Sequence, residues 1–523
     1  MDTADATRSS LGDGRFILDT SAKPLSYFLT TILVILFVYS MQGPKFNVPS
    51  INDRKAFEFT NSRPKKIFLA NARDLLKQWF SANPNKPTRL IGDMGETIVL
   101  PPYMADEIRN DNRLSFTDFA KHFFQVDRLG LDAFAEGNKD SITLVVINKD
   151  LTKSLAKVTE PLADETSLAL RETFTENKEW HAIPLRSNIL HLIARISSRV
   201  FLGTEVCRNE AWLNITKGYT LNGFATADRL REYNPVLRGI VQYFLPGCRK
   251  GLEQIKEAYS IIQPIIDSRR TLKAKATAEG KPIPVWNDAI EWFEQAAKGT
   301  PYRPVIAQLF LSTVAIHTTT DLLTQVLVDL AQHPEIIEEL RTEVIGVLKE
   351  GGWKKTSLTN MRLLDSVIKE SQRLKPLQLA SMQRLARADV TLSDGTFIPK
   401  GSNVCVSSTS LWDPEIYPEP ERWDGYRFLR MREQDGKTNM SQLVSTSSEH
   451  LGFGHGKHAC PGRFFAANEI KIALVHILLQ YEWRLPTGVE PKIIEYGIAP
   501  AMDPTVELEI CRREEEIDLS LRE

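Results

Sequence analysis

Apolar residues recur three or four positions apart through most of this chain, the spacing that lays one greasy stripe along an α-helix. NILHLIARISSRVFLG, beginning at Asn188, shows the pattern and closes on a glycine, the residue that best tolerates the backbone of a helix end. Alternation with period two is confined to short segments. These are TIVLP at Thr97, ADVTLSDGTFIPKG from Ala388 with its Asp394-Gly395 turn, and TVELEIC near the C-terminus. The pattern predicts a mainly α fold with small β-sheets. No low-complexity tract, long repeat or Gly/Ser linker interrupts residues 61–523, so they are expected to form a single large domain.

One segment is not amphipathic. VIAQLFLSTVAIHTTTDLLTQVLVDL, which opens after Pro301 and is stopped at His333-Pro334, is apolar on nearly every face. Such a helix belongs at the centre of a large domain. Its polar insert His317-Thr318-Thr319-Thr320 must be satisfied internally or face a cavity. Threonines that bond back to the preceding turn are the plainer alternative.

The N-terminal region follows another rule. Residues 1–24 are a polar tail, Leu25–Met41 contains no charged residue, and residues 42–60 form a Pro-containing linker. An uncharged helix of that length rises about 25 Å, near the lower limit for crossing a bilayer, which predicts a transmembrane anchor over 25–41. A secretory signal peptide is the rival, and the four aspartates of the polar tail fit it poorly. Basic residues flank the segment on both sides in similar number, so charge gives no orientation.

The composition, 42% apolar and 25% charged, is that of an ordinary globular body. Sixty-five basic residues against sixty-six acidic ones leave no global field for a polyanion, which argues against nucleic acid as a partner. Five scattered cysteines, with no CxxC or Cys/His cluster, argue for a reducing compartment and against a zinc site.

The chemistry concentrates in LGFGHGKHACPGRFFAANEIKIAL, where Phe453, Gly456, His458, Cys460 and Gly462 match F-x-x-G-x-[HR]-x-C-x-G. Glycines let a backbone pass close beneath a flat macrocycle, and amides at a helix start can donate to a sulfur. In these residues the chain resembles the cytochrome P-450 superfamily. The resemblance implies haem b, with the Cys460 thiolate as iron ligand and His458 on a haem propionate. An anionic sulfur pushes electron density toward dioxygen and favours its cleavage. Upstream, Glu370 and Arg373 in VIKESQRLKP lie three apart on one helical face. The resemblance adds a third member to that pair, an arginine of a PERF-like box. Arg422 and Arg427 compete, and counting from Asp413-Pro414 selects Arg427. Glu370, Arg373 and Arg427 are then expected to form a buried ion network of structural purpose. Arg384 matches a propionate-binding arginine. The family's WxxxR element is missing, and Lys149 is the nearest cation.

Where relatives carry [AG]-G-x-[DE]-T-[TS], this chain has Ala315-Ile316-His317-Thr318-Thr319-Thr320. The resemblance makes Thr319 the catalytic hydroxyl that helps deliver protons to dioxygen, but the acid before it is gone. At 100° per residue His317 and Asp321 each lie about 200° from Thr319, so neither stands on its face and protons must arrive by water or from another element. Ile316 in place of glycine is expected to narrow the pocket. Ala315, Ile316, Leu379, Ala380, Met382 and the IAPAMDP turn from Ile498 are expected to border it.

By this resemblance the protein is a membrane-bound haem-thiolate monooxygenase that oxidises an apolar small molecule with O2. The likeness is strongest to fungal enzymes of secondary metabolism acting on terpenoid-type intermediates. No flavin domain or G-x-G-x-x-G unit fits in the chain, so NADPH is expected to act only through a separate NADPH-cytochrome P-450 reductase. The expected location is the endoplasmic reticulum membrane, single-pass, with the catalytic domain cytosolic. A haem-thiolate isomerase or dehydratase acting on a peroxide, and a non-catalytic haem carrier or sensor, remain as alternatives.

Overall fold

The computed structural model describes residues 27–32, 34–35, 46–58, 60–137 and 142–519. The chain divides into two units, Met1–Asn47 and Val48–Glu523. The polar tail expected at 1–24 lies outside the described residues, and of the expected anchor residues 27–32 and 34–35 are helical. Among the described residues no helix is long and apolar enough to cross a membrane.

The second unit is mostly helical. Its helices of nine or more residues are α1 (Ser62–Ala82), α2 (Phe116–Phe124), α3 (Thr152–Thr173), α4 (Leu185–Leu202), α5 (Glu210–Arg231), α6 (Pro246–Ala278), α7 (Ala289–Ala297), α8 (Pro304–Gln332), α9 (Ile337–Gly351), α10 (Arg362–Leu374) and α11 (Arg463–Gln480). Local chemistry fixes several ends. The side chains of Ser115, Asn209 and Asp288 accept the amides of Asp118, Trp212 and Glu291, capping α2, α5 and α7. Gly203 ends α4 at φ +73°, where an added Cβ would lie 3.0 Å from the Asp288 carboxylate. The uniformly apolar segment is α8, which begins at Pro304 and stops before Pro334. It runs through the middle of the unit and packs against α4, α5, α6, α10 and α11, so its lack of a polar face matches its central position.

The strands are short, and they form small sheets at the edge of this helical mass. A five-stranded sheet has the order β1 (Thr88–Gly92), β2 (Gly95–Leu100), β8 (Asn403–Ser407), β5 (Ala380–Ala386), β3 (Leu114–Ser115). Its β2/β8 pair is parallel and the others antiparallel. A second sheet orders β4 (His181–Pro184), β12 (Glu507–Arg512) and β9 (Tyr481–Arg484). Two antiparallel pairs complete the set, β6 (Val390–Thr391) with β7 (Phe397–Ile398) and β10 (Ile493–Ile494) with β11 (Ala501–Met502). The β6/β7 turn carries Gly395 at φ +85°, as the Asp394-Gly395 dipeptide predicts. A main apolar core surrounds α8, and a satellite core joins α1 to the five-stranded sheet through Phe68, Leu76, Leu90, Val99 and Leu379.

Candidate active site

The loop before α11 is held tightly. Gly454 and Gly456 turn it at φ +67° and +75°. A Cβ on Gly456 would lie 2.8 Å from the Arg109 carbonyl oxygen, so that position has room only for glycine. His455 Nε2 lies 3.0 Å from both Arg109 Nη1 and Asp106 Oδ1, tying the loop to the segment after β2. The Cys460 amide donates to the Phe453 carbonyl at 2.8 Å, and Arg463 Nη1 donates to the Cys460 carbonyl at 2.8 Å. These bonds close a small ring from which the sulfur of Cys460 emerges.

Protein atoms crowd Cys460, yet part of it stays exposed to an interior space. Burial pushes its thiol up, and hydrogen bonds from the amides of Gly462 and Arg463 together with the Arg463 charge pull it down without cancelling the rise. The protein alone therefore keeps this sulfur protonated, and ionising it takes a bound cation. Cys207 and Cys405, pushed up by burial to about 11 and about 12, sit in closed surroundings of packing residues.

Arg384 on β5 is 2% exposed and has no carboxylate partner among the described residues. Its Nη1 donates to the Gln383 carbonyl at 2.8 Å, while Nε and Nη2 are sealed without a partner. Burial pulls it down to about 10. A buried guanidinium with two idle donors marks a place for an anion. The Phe116 ring lies 6.0 Å from the Arg384 guanidinium and 5.9 Å from the His458 ring, so both side chains flank one aromatic spacer. Lys149 is exposed on a π-helical turn, Val146–Leu151.

Glu370, Arg373 and Arg427 meet. Arg373 grips the Glu370 carboxylate bidentately at 2.8 and 2.9 Å, and Arg427 Nε reaches both of its oxygens at 3.0 and 3.1 Å. Arg427 also donates to the carbonyls of Pro418 and Arg422, and Arg373 to that of Leu411. The network thus fastens α10 to the irregular segment leading toward the cysteine loop. Arg422 instead stands in solvent beside Glu419. Losing one partner of such a closed network costs about 3–5 kcal/mol, because a charge is left buried and unpaired.

The distal wall is α8. Val314 is 44% exposed and Thr318 is exposed on a helix whose other faces are sealed, so both border an interior space. Ala315 and Leu322 are partly exposed on the same stripe. Thr318 Oγ1 donates to the Val314 carbonyl at 3.1 Å and Thr320 Oγ1 to that of Ile316 at 2.8 Å. Thr319, 3% exposed, makes no side-chain hydrogen bond among the described residues, which leaves its hydroxyl available. His317 turns away: its Nε2 donates to the Lys217 carbonyl of α5 at 3.1 Å, and burial keeps the ring neutral.

Several expected pocket residues sit elsewhere. Ile316 is sealed in the main core, opposite the exposed stripe, and so does not narrow the space. Leu379 and Ala380 pack into the satellite core with residues of α1, and Ile498 packs beside them. Met382 is buried at an irregularity of the β5/β8 pairing with φ +54°, an uncommon conformation for a side chain of its size. The residues that pattern reading missed are Val314, Leu377 and Phe116. Leu377 is the exposed member of the otherwise buried turn after α10. Its sequence LKPLQLA carries no periodic signal that marks it.

These parts fit a flat, dianionic iron macrocycle: a partly open sulfur for its metal, a buried guanidinium with idle donors for its anionic groups, and a central apolar helix that carries an available hydroxyl. The fold and site together define a haem enzyme of mainly α architecture. The family model for "Cytochrome P450" matches residues 107–511, and the chain belongs to that family. Its cofactor is therefore haem iron, with electrons supplied by a redox partner. It is 50% identical to cytochrome P450 monooxygenase hepE of Aspergillus oryzae, over 93% of this chain and 89% of that protein. It is 46% identical to cytochrome P450 monooxygenase TRI1 of Fusarium sporotrichioides, over 94% and 90%. The figure is 41% for adrA of Penicillium rubens, over 95% and 97%. Among solved structures, retinoic acid bound cyanobacterial CYP120A1 aligns with TM-score 0.63 and 17% identity, covering 90% of this chain and all of that one. The cytochrome P450DA heme domain aligns with TM-score 0.64 and 16% identity, over 89% and 97%, and both show the shared fold. The protein is a haem monooxygenase of the fungal secondary-metabolism group.

Proposed function

We propose that the protein oxidises a bulky apolar intermediate of fungal secondary metabolism, of terpenoid type, with Cys460 as the iron's thiolate ligand. The observation that carries this reading is the partly open Cys460 sulfur, under amide donation from the start of α11, set against the central apolar helix α8. When bound, the haem iron supplies dioxygen activation and transfer of one oxygen atom into a C–H bond. The remaining work belongs to side chains of this chain. Arg384 and His458 would hold the haem's propionates, Arg384 through the two donors that have no partner among the described residues. Gly456 lets the loop lie flat against Arg109, which sets the height of the sulfur. The apolar surfaces of Val314 and Ala315 orient the substrate and exclude water. Thr319, with no partner for its hydroxyl among the described residues, would hold a proton donor beside the distal site.

Two further features are part of the proposal. The first is a membrane location at the endoplasmic reticulum, supported by the uncharged run Leu25–Met41 and by Val236, Ile240 and Phe244, which are 85%, 62% and 77% exposed around the helix Pro235–Val241. The second is a separate NADPH-cytochrome P-450 reductase, supported by the family's need for a redox partner. Full-length protein co-expressed with a fungal reductase in a host making terpenoids, under 18O2, tests the reading. The expected product carries one labelled oxygen atom. A product formed without label contradicts oxygen insertion and favours the isomerase alternative.

A further inference from the structure

The absent acid before Thr319 leaves a question that the geometry of α8 answers. The stripe of α8 that opens on the interior space is centred on Val314 and Thr318 rather than on Thr319. Residues three apart on a helix are neighbours about 5–6 Å apart at Cβ, and 314, 318 and 321 fall within about 60° of one another around the axis. Asp321 therefore stands one turn beyond Thr318 on that stripe, although it lies far around the helix from Thr319.

Asp321 is also equipped. Its Oδ2 is paired with the ammonium of Lys375, the residue that follows α10 and closes its end through the backbone. Lys375 is almost sealed, at 1% side-chain exposure, whereas the Asp321 side chain keeps 12%. Asp321 Oδ1 receives no hydrogen bond among the described residues and is not among the sealed, partnerless atoms, so one carboxylate oxygen stays open. Thr318 Oγ1 bonds only carbonyls of its own preceding turn, and a rotation of its hydroxyl releases that proton toward the open side.

We propose that Asp321, held by Lys375, takes over the missing carboxylate's task from one turn further along, relaying protons from solvent through the Thr318 hydroxyl to the distal site. In each transfer Asp321 takes a proton from water and passes it to the Thr318 oxygen as the Thr318 hydroxyl proton leaves toward the cavity, so both side chains end in the state in which they began. Asp321 acts through Thr318 and is a relay residue, not one that touches substrate. The inference rests on the monooxygenase reading, whose failure would appear as unlabelled product in wild type, independently of any Asp321 variant.

The test uses full-length, haem-loaded protein with its reductase. Asp321→Asn is expected to raise the solvent deuterium isotope effect on turnover, to divert at least tenfold more of the consumed electrons to hydrogen peroxide, and to leave the carbon monoxide difference spectrum and melting temperature near wild type. Thr318→Asp in the Asp321→Asn background returns a carboxylate to the family's usual position and is expected to restore coupling, which a purely structural role for Asp321 does not predict. Wild-type coupling and isotope effect in Asp321→Asn, or failure of the double variant to recover either, overturn the relay. If Asp321→Asn does not load haem, Thr318→Val is read instead, since it keeps the Asp321–Lys375 pair: unchanged coupling and isotope effect there overturn the proposal equally.

Discussion

Single residues carry most of what the sequence discloses about the site. Cys460, Phe453, Gly456, His458 and Gly462 are legible because a loop passing under a macrocycle needs glycines and one sulfur at fixed intervals. Arg427 is legible over Arg422 only by counting from Asp413-Pro414, since PERW looks closer to the expected box. Phe116 is not legible at all. It acts as spacer between Arg384 and His458 solely because α2, β5 and the cysteine loop converge, and no local pattern encodes that meeting. Arg384 supplies a prediction at this scale. A buried cation with idle donors destabilises the haem-free protein and rewards an anion that fills the place. Arg384→Met is expected to raise the melting temperature of the haem-free form while lowering haem retention by about tenfold, a loss of ~1.4 kcal/mol in binding. Haem transfer to apomyoglobin and thermal melts of both forms check this, and two unchanged values contradict it.

Elements were easier to foresee than their facing. The periodicity names α4 and α8 and the period-two segments name β2, β12 and the β6/β7 pair. Which residues at the start of β5 meet α1 is decided by long-range packing that no local pattern states, and Leu379 and Ala380 lie in the satellite core rather than at the expected pocket border. Helix α11 carries a further consequence. Glu469 is fully buried, accepts the Ser197 hydroxyl at 2.5 Å, and is pushed by burial up to about 8. Folded Glu469 stays protonated where the unfolded chain has already ionised it. Stability from this group is therefore whole below about pH 4.5 and declines as pH rises toward 8, by a few kcal/mol at most. His476, pulled by burial down to about 3, works in the opposite sense below about pH 6.5. Glu469→Gln is expected to flatten the fall of melting temperature between about pH 5 and 8 and to raise it at the alkaline end. Parallel pH profiles for variant and wild type exclude this role.

At the scale of the molecule, a uniformly apolar helix and the absence of linkers predict one large helical body over 61–523, and α8 packs against α4, α5, α6, α10 and α11 within the unit Val48–Glu523. The order of strands in the five-stranded sheet was not announced, because it joins segments about 300 residues apart whose pairing no local pattern states. The whole fold serves to bring one sulfur, one anion-seeking guanidinium and one central helix around a common space. The most direct test of that claim is the carbon monoxide difference spectrum of the reduced, haem-loaded protein alongside its Cys460→Ser variant. The account predicts a strongly red-shifted Soret band in wild type that disappears in the variant. A folded wild type without the shift, or a variant that keeps it, would contradict Cys460 as the iron ligand.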